Sequence, residues 1–268
     1  MFGKNPIRPP EKGDGSILQV QKIFPTLQGE GPFAGQPSLF IRLGGCNLAC
    51  DFCDTEFESF SEMSLEDVVA KAKQLSSLKR LHPVRLVPPP EGGRLGGGER
   101  RSRITGKAAS PSGNHPHLTS PLQGEEMIRL AVITGGEPFR QNIAPLCDAL
   151  LAAGFTVQIE TNGTLYRPLD PRVNIVCSPK TTTGIYARLR EDLLPRLSAL
   201  KFIVSAGHAL YKTVPEVGQS DFGIPVYVQP MDEYDETKNA RNAAYAKDLA
   251  LTEGYRLSLQ LHKILGIE

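Results

Sequence analysis

The strongest constraint on how this chain folds is an alternation of short apolar runs with helix-patterned segments, each run ending in a turn of unusual residues. Pro37 to Gly45 reads as a buried strand, Ser-Leu-Phe-Ile-Arg-Leu closed by two glycines. Ile128 to Ile133 is a second strand and runs into Thr134-Gly135-Gly136-Glu137-Pro138. A third, Thr156 to Glu160, leads into Thr161-Asn162-Gly163-Thr164, and further runs sit at Val173 to Cys177, Leu200 to Val204 and Ile224 to Val228. Between them, Ser64 opens a helix with Asp67 three residues on, a near capping box. Leu65, Val68, Val69, Ala72 and Leu75 keep one face of that helix. A second helix from about Asn142 presents Ile143, Leu146, Cys147, Leu150 and Leu151, with Gly154 as its stop. A last helix spans Glu236 to Leu251.

Strands alternating with helices predict a parallel sheet. With about six strands, fewer than the eight of a closed barrel, the expected fold is α/β, a partial (open) β/α barrel of about six parallel strands. Chemistry in such folds sits at the carboxyl ends of the strands. The unusual residues all fall there: a cysteine cluster after the first strand, Gly-Gly-Glu-Pro after the second, Glu-Thr-Asn-Gly after the third.

One domain over residues 1–268 accommodates this pattern. The exception is 82–126, where Gly, Pro, Ser and Arg dominate without periodicity. Such a stretch cannot repay the entropy of ordering, and a disordered insertion is expected. A basic nucleic-acid-binding tail is the alternative there, although Glu91, Glu99, Glu125 and Glu126 dilute its charge. His82, His115 and His117 read as solvated loop histidines. The net charge of +1 gives no global field for nucleic acid or an acidic membrane. No run of about 18 apolar residues occurs, and Met1 to Gly15 lacks the pattern of a secretory signal. A cytoplasmic address is therefore expected. Five cysteines, three of them within Cys46-Asn-Leu-Ala-Cys50-Asp-Phe-Cys53, point in that compartment to a metal or catalytic site rather than disulfides.

Three thiolates on one loop suit three corners of an iron–sulfur cube. Cys147 falls on a helix face and Cys177 at a later strand end, so a fourth iron lacks a protein ligand and stays open to substrate or cofactor. Zinc is the rival, since thiolates suit it too, yet no second cysteine pair or local histidine completes four ligands.

The Cys-x3-Cys-x2-Cys spacing, with Phe52 before its last cysteine, resembles the radical S-adenosylmethionine (SAM) signature, and Gly135 to Pro138 resembles that superfamily's second hallmark. The resemblance implies a 4Fe–4S cluster on Cys46, Cys50 and Cys53 whose open iron chelates SAM. It also implies reductive cleavage of SAM to methionine and a 5′-deoxyadenosyl radical, with the chemistry carried by the cofactors and no protein acid or base assigned. In this reading Gly136 lets the backbone approach the cofactor, and Glu137 offers charge to its ammonium group.

A narrower resemblance is to the 7-carboxy-7-deazaguanine synthases of queuosine and deazapurine biosynthesis. It rests on Phe24-Pro-Thr-Leu-Gln28-Gly29-Glu30-Gly31, Arg42, Cys53-Asp54-Thr55, Thr134, Ser178-Pro179-Lys180, Gln229-Pro230-Met231-Asp232 and Gln260-Leu-His262-Lys263. These matches span nearly the whole chain outside 82–126. The resemblance implies conversion of 6-carboxy-5,6,7,8-tetrahydropterin to 7-carboxy-7-deazaguanine with loss of ammonia, using SAM and Mg²⁺, in a homodimer served by a flavodoxin- or ferredoxin-like electron donor.

By it, Leu27, Gln28, Gly29, Arg42, Thr134 and Glu268 contact the pterin, Arg42 through a guanidinium fork on the carboxylate. Thr55 ligates Mg²⁺ as a hard oxygen donor. Gly136, Glu137, Ser178 to Lys180 and the turn Gln229 to Asp232 line the SAM site. Glu30 is placed to receive the guanidine-like edge of the pterin, and His262 to sit by the substrate. Arg42 also reads as an exposed strand residue and Thr55 as a turn cap. Two other functions stay open: an activase of the same superfamily acting on a glycyl-radical enzyme, and a non-catalytic thiolate–zinc module.

Overall fold

The six apolar runs become the centre of one mixed sheet. The computed structural model describes residues 6–50, 53, 55–77, 128–181 and 184–267. The expected insertion at 82–126 lies outside them, as do Phe52 and Glu268. In chain order the elements are β1 (Ile17–Leu27), β2 (Pro37–Leu43), β3 (Ser61–Ser64), α1 (Leu65–Ser76), β4 (Leu130–Gly135), α2 (Ala144–Ala152), β5 (Thr156–Thr161), β6 (Asn174–Cys177), β7 (Leu197–Val204), α3 (Gln219–Phe222), β8 (Val226–Pro230), α4 (Glu236–Glu253), β9 (Arg256–Leu257) and α5 (Leu261–Leu265). Among the described residues nine strands form an open sheet in the order β3-β1-β2-β4-β5-β6-β7-β8-β9. From β2 to β9 every pairing is parallel; β1 pairs antiparallel with β2 and with β3.

Three strands exceed the expected six: β1, β3 and β9. The stretch from Phe24, expected as a loop, continues β1 as far as Leu27. Pro25 is tolerated there because β3 pairs with β1 only over Ile17 to Val20, so beyond that point, among the described residues, one side of β1 makes no ladder that needs its N–H. Likewise Gln229 and Pro230, expected in a turn, end β8.

Helix boundaries follow local chemistry. The Ser64 hydroxyl accepts from the Asp67 N–H at 3.0 Å and donates to the Asp67 carboxylate at 2.7 Å, which starts α1. Asp235 accepts from the Lys238 N–H at 2.9 Å to start α4, and Gly254, at φ 73°, ends it. The helix expected from Asn142 begins at Ala144, after a single 3-10 turn over Pro138–Arg140.

Because strand side chains alternate, the sheet has two unlike faces. On one, Leu39, Ile41, Leu43, Ile133, Ile159, Ile175, Phe202 and Val228 bury against Val68 and Ala72 of α1, Leu146 and Leu150 of α2 and Ala246 of α4. Each such aliphatic or aromatic side chain contributes about 1.5–3 kcal/mol. The opposite face carries Phe40, Arg42, Thr134, Glu160, Lys201, Ile203 and Gln229, and these line a cavity.

Candidate active site

The cysteine loop starts where β2 runs out of ladder. Gly45, at φ 75°, turns the chain into Cys46, and its N–H donates to Phe57 O at 3.0 Å. Cys46 is buried, while Cys50 and Cys53 are half-buried, and all three line the cavity of about 360 Å³. Burial pushes the Cys46 thiol up to about 11, and the charges of Glu137, Cys50 and Cys53 push the same way, so the three sulfurs share one electrostatic neighbourhood. Cys147 and Cys177 are buried in the core. Among the described residues no three His, Cys, Asp or Glu side chains gather closely enough for one metal ion. Three thiols lining one cavity suit three corners of an iron–sulfur cluster.

Gly-Gly-Glu-Pro is locked onto that loop. Leu43 and Gly135 are partners in the β2–β4 ladder. The Gly136 N–H donates to Leu43 O at 3.1 Å and the Glu137 N–H to Gly45 O at 3.0 Å. A Cβ on Gly136 would lie 1.9 Å from Gly45 O and 2.9 Å from Cys46 N. The close approach that requires glycine here is therefore to the backbone of the cysteine loop. Glu137, expected on the cavity wall, is fully buried and does not line it. Its carboxylate accepts from Phe139 N at 3.0 Å, Thr161 Oγ1 at 2.8 Å and Asn162 N at 2.8 Å, which pins the end of β5 beneath the site. Burial pushes this carboxyl up to about 7, against those three donors and the Lys180 charge. Asn162 then donates to Asn47 Oδ1 at 3.0 Å, a third tie to the cysteine loop.

A second wall is polar and largely buried. Gln28, 1% exposed, donates to Glu160 Oε1 at 2.9 Å and accepts from the Glu30 N–H at 3.1 Å. Lys201 forms an ion pair with Glu30 and stands 3.8 Å from Glu160. Gln260 donates to Glu30 Oε1 at 3.0 Å, and Gln158 to Glu160 Oε1 at 3.2 Å. Arg42 lines the same cavity with its guanidinium 5.0 Å from the centre of the Phe24 ring.

The remaining expected residues divide. Thr55, Thr134, Gly136, Ser178, Lys180, Gln229, Pro230, Met231 and Asp232 line the cavity. The Lys180 ammonium donates to Ser178 Oγ at 2.6 Å, and burial lowers its pKa. Asp232 is held below the ordinary carboxylate range: burial opposes this, but Lys263 at 2.8 Å, the Tyr234 N–H and Asn239 outweigh it. Leu27, Gly29 and Pro179 do not line the cavity. Gly29 is buried against the imidazole of His262, where a Cβ would meet Nδ1 at 2.5 Å, and His262 itself faces the cavity. Glu160 and Lys201 received no role from the sequence. The signal for Lys201 was a charge inside a largely apolar strand, whereas Glu160 sits among Thr and Gln and gave none.

No family model matches the chain. It is 48% identical over 268 residues to the 7-carboxy-7-deazaguanine synthase of Rickettsia prowazekii (strain Madrid E), covering 100% of this chain and 96% of that protein. It is 39% identical to the 7-carboxy-7-deazaguanine synthase of Rhodospirillum rubrum, covering 100% of both. Among solved structures, QueE from Escherichia coli superimposes with a TM-score of 0.59 at 23% identity, over 93% of this chain and 99% of that one, which establishes a shared fold.

Proposed function

The chain belongs to the 7-carboxy-7-deazaguanine synthase family, and on that footing we propose that its cavity takes 6-carboxy-5,6,7,8-tetrahydropterin and returns 7-carboxy-7-deazaguanine with loss of ammonia. Family membership sets aside the activase and the thiolate–zinc module. The observation that carries the reading is the joining of Cys46, Cys50 and Cys53 to the Gly-Gly-Glu-Pro turn on one cavity, opposite a wall of paired carboxylates.

Cys46, Cys50 and Cys53 hold the 4Fe–4S cluster. Gly136, Ser178, Lys180 and Gln229 to Asp232 take SAM. Glu137 and Pro179 support this region from beneath. When bound, the two cofactors supply a carbon radical able to abstract hydrogen from the substrate. The chain's own part is binding, orientation and exclusion of water.

Arg42 pairs with the pterin carboxylate. Gln28, Glu30 and Glu160 receive the N–H donors of its guanidine-like edge, and Lys201 balances the two acids. Thr134 contacts the ring, with Leu27 and Gly29 shaping the loop that presents Gln28. Thr55 gives Mg²⁺ one hydroxyl ligand, since that ion retains few protein ligands. Among the described residues no helix is long and apolar enough to cross a membrane. A cytoplasmic homodimer reduced by a flavodoxin- or ferredoxin-like donor completes the proposal.

The test is anaerobic turnover. Reconstituted protein is incubated with SAM, dithionite, Mg²⁺ and 6-carboxy-5,6,7,8-tetrahydropterin, and the product is identified by mass spectrometry. The deazapurine carboxylate is expected from the wild type and not from Cys50→Ala. Absence of product from iron-replete wild type overturns the assignment.

A further inference from the structure

The outer side of the cysteine loop is covered by a segment that the proposed chemistry does not use. Ile7 forms a parallel bridge with Cys46, and the Arg8 N–H donates to Cys46 O at 2.8 Å. The Arg8 guanidinium then reaches the far end of the same loop. It binds the Glu58 carboxylate at 2.9 and 2.6 Å and lies 5.2 Å from the centre of the Phe60 ring. Phe60 packs on Gly44, where a Cβ would fall 2.3 Å from the ring. One residue, through its backbone N–H and its side chain, thus ties both ends of the loop.

A second anchor lies beneath. Arg140 lies two residues beyond Gly-Gly-Glu-Pro and is 0% exposed. It donates to Glu11 Oε1 at 2.7 Å, Pro9 O at 3.2 Å and Gly44 O at 2.9 Å, while its own carbonyl accepts from the Glu11 N–H at 2.6 Å. A Cβ on Gly45 would meet its guanidinium at 2.8 Å. Arg167 adds a bond to Glu11 O at 2.9 Å, and Asn142 one to Asp14 O at 2.7 Å. None of these residues lines the cavity.

We propose that residues 8–14 are a positioning strap for the cysteine loop, anchored by Arg8 and Arg140, and that the strap sets how firmly Cys46 holds the cluster. The physical need is plain. Gly44 and Gly45 give the loop a large backbone entropy, and the described residues 46–50 and 53 lie in no helix or strand. Partners outside a ligand set fix the ligands' geometry and retention. This inference rests on the cluster reading above.

The test uses reconstituted holoprotein: wild type, Arg8→Ala, Arg8→Pro, Glu58→Gln and Arg140→Lys. Arg8→Ala removes the fork, and Arg8→Pro also removes the N–H that reaches Cys46 O; Pro9 already confines position 8 to extended backbone. The readouts are iron and sulfide per chain, the anaerobic rate at which a ferrous chelator strips iron, and the melting temperature of each apoprotein. Stripping is expected about tenfold faster in the variants. Arg8 is half-exposed, so Arg8→Ala melts within about 2 °C of wild type and carries the test even where Arg140→Lys folds poorly. Variants that lose iron at the wild-type rate overturn the strap while the cluster reading stands. A wild type that holds no iron overturns both.

Discussion

Gly136→Ala tests the contact that joins the two motifs. The new methyl carbon would lie 1.9 Å from Gly45 O, where a carbon–oxygen contact needs about 3.3 Å, so the turns must part by roughly 1.4 Å. That motion breaks the 3.0 Å bond from Glu137 N to Gly45 O and strains the 3.1 Å bond from Gly136 N to Leu43 O. Each is worth about 1 kcal/mol, and overpacking adds about 1–3 kcal/mol. The sum, about 3–5 kcal/mol, is a large share of the roughly 5–15 kcal/mol that keeps a domain folded. Urea unfolding of the apoprotein followed by circular dichroism reads the loss. Iron per chain after reconstitution reads the displacement of Cys46. Gly207→Ala is the control, since a Cβ there meets nothing within 4 Å. A Gly136→Ala protein with the wild-type urea midpoint and a full iron complement would refute the reasoning.

Lys201→Met leaves Glu30 and Glu160 facing each other without their cation and costs about 3 kcal/mol of stability. Adding Glu30→Gln recovers part of the loss, and a double variant no more stable than the single one contradicts the charge argument. Glu137, raised to about 7 by burial, keeps a proton in the folded chain that the unfolded chain has released. Apoprotein stability therefore declines as pH rises from about 4.5 to about 7, and Glu137→Gln lacks that component; urea midpoints across the window decide it. Thr55→Ala raises the Mg²⁺ concentration needed for half-maximal turnover while iron content stays at the wild-type level, and an unchanged metal dependence counts against Thr55 as a ligand.

The parallel strands were legible because strands buried in an α/β sheet read as unbroken apolar runs. The same property hid what matters at the site. Lys201 sits in Leu-Lys-Phe-Ile-Val, where period alone leaves the lysine on whichever face meets solvent. Only the ladder, with Lys201 opposite Tyr227 and Ile203 opposite Gln229, places it over the cavity with Glu160. Pro25 concealed β1, because a proline argues against a strand until the missing neighbour beyond Val20 is known. For Gly136 the sequence predicted a close approach to a cofactor and gave no sign of the second one, to the backbone of the cysteine loop. The glycine meets Gly45, which lies ninety-one positions earlier in the sequence (136 − 45) and in the adjoining strand-end turn. Arg8 and Arg140 gave no local signal at all, since their value lies in joining segments that only the tertiary fold brings together.

The crossover from β2 to β4 has a further consequence. The Ile128 N–H donates to Ser76 O at 3.2 Å, so the last turn of α1 and the residue that leads into β4 are fastened to each other before the connecting chain is considered. That junction precedes the amino end of β4, whereas the thiols and the carboxylate wall gather at or beyond the carboxyl ends. Lengthening a connection whose ends are already fixed costs only about 0.6 kcal/mol per doubling. The junction is thus closed by its own hydrogen bond, and the entropy of closing the connection depends only weakly on how long that connection is.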